Sequence, residues 1–82
     1  MGENVKVAGV PISAKGTTTS RKERMKFVSV EDHTGVIEVV LFPDAYRRWG
    51  HALTGEMLVF TGRIIEDETA LTLEATSVEA LV

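Results

Sequence analysis

The chain has 82 residues, 44% of them hydrophobic and 26% charged, a length and composition that fit one ordinary globular domain with a small core. It holds no cysteine, which excludes a disulfide frame and a cysteine zinc site, and no apolar run reaches the roughly 18 residues of a membrane span. A formal net charge of −3 argues against a strongly basic nucleic-acid binder, although the charge is unevenly spread.

Lys15, Arg21, Lys22, Arg24 and Lys26 stand against Glu23 alone, a local balance of +4. From Glu56 to Val82 six acids stand against Arg63, a balance of −5. A basic segment can meet phosphates even in an acidic domain, because the local field governs contact. The Met1-Gly2-Glu3-Asn4 start has neither the basic nor the apolar part of a signal peptide, and there is no Asn-x-Ser/Thr acceptor, so a cytoplasmic protein is expected.

In chain order, Val5, Val7, Val10 and Ile12 predict a first strand whose alternation Gly9 shifts by one, the mark of a bulge or sharp coil. Pro11 predicts an edge or locally unpaired position. Ser13 to Arg24 is hydroxyl-rich and basic without apolar periodicity, and reads as a mobile loop. Lys15 to Ser20 superficially resembles a phosphate loop, but the closing Gly-Lys-Ser/Thr is missing.

Met25 to Phe42 reads as two strands around the turn Glu31-Asp32-His33-Thr34-Gly35. Side chains alternate faces along a strand, so Val28, Val30, Ile37, Val39 and Leu41 form an aliphatic core face. Met25, Phe27, Ser29, Glu31, Val36, Glu38 and Val40 share the other face, an odd mixture for a plain solvated surface and one that a ligand can use. Gly35 suits the turn, which needs a residue at positive φ.

Pro43 and Asp44 then open a short helix, with Ala45, Tyr46, Trp49 and Leu53 at helical spacing. Tyr46 and Trp49 read as packing residues, and Arg47 and Arg48 as its solvated side. Thr54-Gly55 ends the helix through a glycine cap, and Phe42 is left open to turn inward. A fourth strand, Glu56 to Ile65, puts Leu58, Phe60 and Ile64 on one face with Gly62 in register between them. Glu66-Asp67-Glu68-Thr69 reads as an acidic, solvated hairpin turn. A fifth strand, Ala70 to Val78, puts Leu71, Leu73 and Ala75 inward.

Three strands, a helix and two strands cannot bury both faces of an open sheet at this length. Closure into an all-β, five-stranded Greek-key barrel with the helix between strands three and four is the economical answer, and that is the OB-fold.

Val5 to Val10, Met25 to Asp32, Thr34 to Pro43 and Phe60-Thr61-Gly62-Arg63-Ile64 form an ordered series of motifs. It resembles the OB domain of bacterial DNA polymerase III alpha subunits, over nearly the whole chain. The wider family includes anticodon-binding domains of class II aminoacyl-tRNA synthetases and single-strand-binding modules. The resemblance implies that residues 1–82 are one OB domain excised from a longer polymerase, replicative or error-prone, and that it contacts single-stranded DNA. It also implies that Phe27 stacks on a base and that Glu38 stands where an outward polar residue, often glutamine, meets a base edge. A carboxylate accepts hydrogen bonds only and repels phosphate, which counts against a tRNA ligand.

The candidate binding residues are therefore Phe27 as the stacking ring, Lys15, Arg21, Lys22, Arg24 and Lys26 as phosphate contacts, Ser29 and Glu38 beside the ring, and Arg63 as an outlying cation. Catalysis is not expected, since His33 and His51 have no nucleophile at a pairing distance in the sequence. No cofactor or metal is expected, and the isolated domain is expected to be a monomer that does not engage membranes. Two rival readings stay open: a module that docks other polymerase domains or replisome subunits, and an anticodon-type RNA binder.

Overall fold

Alternating apolar side chains drive the strands to close on one another, and the result is a five-stranded barrel. A computed structural model describes residues 4–66 and 71–81. Its elements are β1 (Asn4–Thr18), β2 (Arg24–Asp32), β3 (Gly35–Leu41), α1 (Pro43–Trp49), a 3₁₀ helix (Gly50–Thr54), β4 (Leu58–Glu66) and β5 (Leu71–Ala80). The barrel order is β1-β2-β3-β5-β4, closing back on β1, and the β3–β5 pair is parallel while the others are antiparallel. The expected OB-fold topology is therefore present, with the helix between β3 and β4.

The aliphatic face forms the core as expected. Val28, Val30, Val39 and Leu41 are buried together with Leu58, Phe60, Leu73, Ala75 and Val78. Ile37 and Ile64 pack at the margin of this cluster, and so do Ala45, Tyr46, Trp49, Ala52 and Leu53 from the helical segment. Burial of one large aliphatic or aromatic side chain is worth about 1.5–3 kcal/mol, so this interdigitated set is what holds the barrel shut. The helical segment lies against β5, β2 and β3. Among the described residues, no helix is long and apolar enough to cross a membrane.

β1 serves two partners. Asn4 to Gly9 pair with β4, and from Val10 onward the strand pairs with β2. Gly9 is the point of transfer. A Cβ there would lie 2.6 Å from the Glu31 carbonyl oxygen and 2.7 Å from Val30 Cγ1, so close approach of β2 requires glycine. The bulge itself falls three residues later, where the register shifts between Pro11 and Ser13. Gly35 does adopt a positive φ of 144°, directly after the two-residue turn His33-Thr34.

Several expectations need correction. The mobile loop over Ser13–Arg24 is mostly strand: Ser13 to Thr18 pair with Ser29 to Arg24, and only residues 19–23 turn. Polar side chains hid this, because both faces of a protruding hairpin lie in solvent and no apolar period is needed. The turn is itself ordered. Thr19 Oγ1 accepts hydrogen bonds from the Arg21 and Glu23 amides at 3.2 Å, and Lys22 takes a φ of 65°.

Gly55 is extended (φ −69°, ψ 158°) rather than a left-handed cap; its role is spatial, since a Cβ would come within 2.9 Å of Ala80 and Leu58. Leu71 has inward register but is 54% exposed, because it stands at an open end of the barrel, one step beyond Thr72, which pairs with Glu38. Phe42, at the start of α1, is 40% exposed and does not turn inward. Gly62 keeps its place in the β4 alternation and is buried like Leu58 and Phe60; the β4–β5 register shift between Thr61 and Gly62 falls on β5, where Thr76 is passed over. The acidic turn reaches Glu66 in β4, and its remaining residues 67–69 lie outside the described residues.

Candidate nucleic-acid interface

Pairing registers place the candidate residues, because directly opposed residues share a face. One row crosses the outside of the barrel as Lys15 (β1), Phe27 (β2), Val40 (β3), Glu74 (β5) and Arg63 (β4). The next row holds Ser13, Ser29, Glu38, Thr72 and Ile65. Phe27, Ser29 and Glu38 are thus brought together on one face, as the alternation predicts, and the pairing of β1 with β2 adds Lys15 to them.

Phe27 keeps 38% of its surface in solvent. Val40, next to it in the row, was expected on this mixed outer face; it does face outward but is only 3% exposed, flanked by Phe27 and Glu74. Ser29 donates from Oγ to Glu38 Oε2 at 2.5 Å, a short charge-assisted bond that fixes the carboxylate beside the ring. Arg63 sits at the far end of the row and spends its charge on Glu74 at 3.5 Å, an exposed pair worth at most about 1 kcal/mol.

The five cations of the basic segment fall into three places. Lys15 opposes Phe27 on the outer face. Arg21 and Lys22 occupy the tip of the β1–β2 hairpin, about 15 Å along the strand from Phe27. Arg24 and Lys26 share parity with Val28 and so point to the side of α1, where Lys26 Nζ lies 5.6 Å above the Tyr46 ring centre. They are not beside Phe27. Among the described residues none of these five forms an ion pair, in contrast to Arg47, which meets Asp44 at 3.2 Å and Glu23 at 3.7 Å. Uncompensated cations hold their full attraction for an anionic polymer.

At the other end of β2, Asp32 Oδ1 accepts from Thr34 Oγ1 at 2.6 Å, from the Thr34 amide at 2.7 Å and from the Gly35 amide at 3.1 Å. The Thr34 bonds foremost hold its carboxyl below the ordinary carboxylate value. These bonds hold the tight turn between β2 and β3.

Another depression lies between α1 and β5, lined by Asp44, Glu74, Arg47 and Arg48. Its charges offset one another, so it offers nothing to a polyanion. Exposed apolar residues surround the outer face, among them Ile12 (51%), Val36 (57%) and Ile65 (37%), and sequence reasoning missed Ile12 and Ile65. Only Val36 was placed there, and the strand registers that put Ile65 beside Thr72 are not visible in local periodicity.

Known proteins point the same way. A family model described as an OB-fold nucleic acid binding domain matches residues 5–81. The error-prone DNA polymerase of Symbiobacterium thermophilum is 42% identical over 52 residues, covering 63% of this chain and 5% of that protein. The DNA polymerase III alpha subunit of Vibrio cholerae is 31% identical over 67 residues, 80% of this chain and 6% of its own length. That of Escherichia coli O157:H7 is 28% identical over 81 residues, 98% of this chain and 7% of its own length. The chain therefore spans only a small fraction of each relative. With the barrel order, the helix position and this match over nearly all its length, the chain belongs to the OB-fold nucleic-acid-binding domain family.

Proposed function

We propose that this domain binds single-stranded DNA without catalysing a reaction, as a module of a longer polymerase of the DNA polymerase III alpha type. A base stacks on Phe27, and phosphates meet Lys15 and the cations of the β1–β2 hairpin. The carrying observation is a partly exposed aromatic ring with a lysine directly opposite it on the neighbouring strand, free of ion pairs among the described residues. Stacking reads no particular base, so selectivity is slight, and Glu38 beside the ring disfavours a close phosphate.

A docking module is the second reading, favoured by the acids Glu38 and Glu74 around the ring and by the small share of the relatives that the chain spans. Titration of the chain with oligothymidylate at low salt, followed by amide chemical shifts, separates the two. DNA binding predicts shifts at Lys15, Phe27, Ser29 and Glu38, and a Phe27→Ala loss of about 1–3 kcal/mol. An unchanged spectrum at millimolar oligomer favours docking. Tighter binding of the matching ribo-oligomer points instead to an anticodon-type RNA binder.

A further inference from the structure

We infer that the cleft between the β1–β2 hairpin and α1 is a second phosphate site, onto which the single strand continues after the base stacked on Phe27. The inference rests on the single-strand reading above and adds a path that leaves the outer barrel face.

The cleft, about 390 Å³, is lined by Thr17, Thr18, Arg24, Met25, Lys26 and Tyr46. Two of these, Thr17 and Met25, are opposed on the same outer face as Lys15 and Phe27, one alternation step towards the hairpin tip. Met25 therefore belongs both to the outer face and to the lining of the cleft, a step of about 7 Å along β2 from Phe27, which one extended nucleotide unit spans. Inside, Arg24 and Lys26 supply two cations without an ion-pair partner among the described residues, and the two threonines supply hydroxyl donors. Lys26 is held in place, its ammonium 5.6 Å above the Tyr46 ring centre and near Gly16, where a Cβ would be 3.8 Å from Nζ. Arginine adds a planar fork suited to phosphate oxygens.

The acid nearby, Glu23, lines the adjoining hollow with Arg24, Pro43, Tyr46 and Arg47, and it is 3.7 Å from Arg47. That pairing reduces its repulsion of an anion. The chemistry therefore fits a phosphodiester group: two cations and hydroxyl donors, with the neighbouring Glu23 turned to Arg47, which it shares with Asp44.

The test uses the 82-residue chain, dithymidylate and hexathymidylate, with inorganic phosphate as a control. Dithymidylate is expected to move the amides of Lys15, Phe27 and Ser29. Hexathymidylate is expected to move those of Thr17, Thr18 and Tyr46 as well. Arg24→Gln combined with Lys26→Gln should make the salt slope of hexathymidylate binding shallower by about 1.4, two contacts at about 0.7 each. Shifts at Lys15, Phe27 and Ser29 with Thr17, Thr18 and Tyr46 unmoved overturn the second site and leave the stacking reading standing. Cleft shifts of equal size with inorganic phosphate alone overturn the continuous path, since an independent anion site then accounts for them. No shifts with either oligomer remove the single-strand reading and this inference together.

Discussion

Asp32 shows how one carboxylate fixes the central hairpin. Its Oδ1 gathers three donors from Thr34 and Gly35, so the ionised form is favoured in the folded state and its pKa lies below the ordinary value of 3.8. A group with a depressed folded pKa adds stability above its unfolded value and loses it as pH falls through the folded one. Stability of this chain should therefore drop on acidification below the ordinary carboxylate range, and Asp32→Asn should flatten that part of the profile. Carboxyl-carbon NMR titration gives the direct check: a midpoint at or above 3.8 contradicts the assignment. The turn itself was legible, because Asp-x-Thr-Gly between two apolar runs offers both a side-chain acceptor and a residue free to take positive φ.

At the scale of elements, β1 is the strand on which barrel and site both depend. Its first part closes the barrel on β4, and its second part carries Lys15 to Phe27 and Thr17 to the cleft. Gly9 allows the change of partner. Gly9→Ala drives a methyl into the Glu31 carbonyl and Val30, and we expect a loss of about 1–3 kcal/mol, read as a lower denaturation midpoint at unchanged slope. A variant as stable as the parent shows that β2 can retreat without cost. Sequence reasoning saw the break at Gly9 but ended the strand too early. Residues 13–18 carry no apolar alternation, so only their pairing with β2 reveals them as strand.

Across the whole molecule, a net charge of −3 and an uncompensated basic hairpin act on a polyanion in opposite senses. Contact is local and the repulsion is long-range, so binding should be weak and strongly salt-dependent. With three to five phosphates engaged, log affinity against log salt should fall with a slope of about −2 to −3.5. Isothermal titration at several salt concentrations measures it, and a flat dependence excludes the phosphate contacts. A steeper slope than five contacts allow indicates that Arg63 or the helix arginines also engage.

The sequence by itself determined the barrel, the core face and the placement of Phe27 with Ser29 and Glu38. The core face and that placement follow from the two-residue period of a strand, and the barrel from an element order too short to bury both faces of an open sheet. Tertiary structure decided the remainder. It carried β1 through the polar hairpin, tied Arg63 to Glu74, and turned Arg24 and Lys26 away from Phe27 towards Tyr46. Those outcomes depend on which strand lies beside which and on where α1 packs, and such long-range pairings leave no trace in the spacing of neighbouring residues.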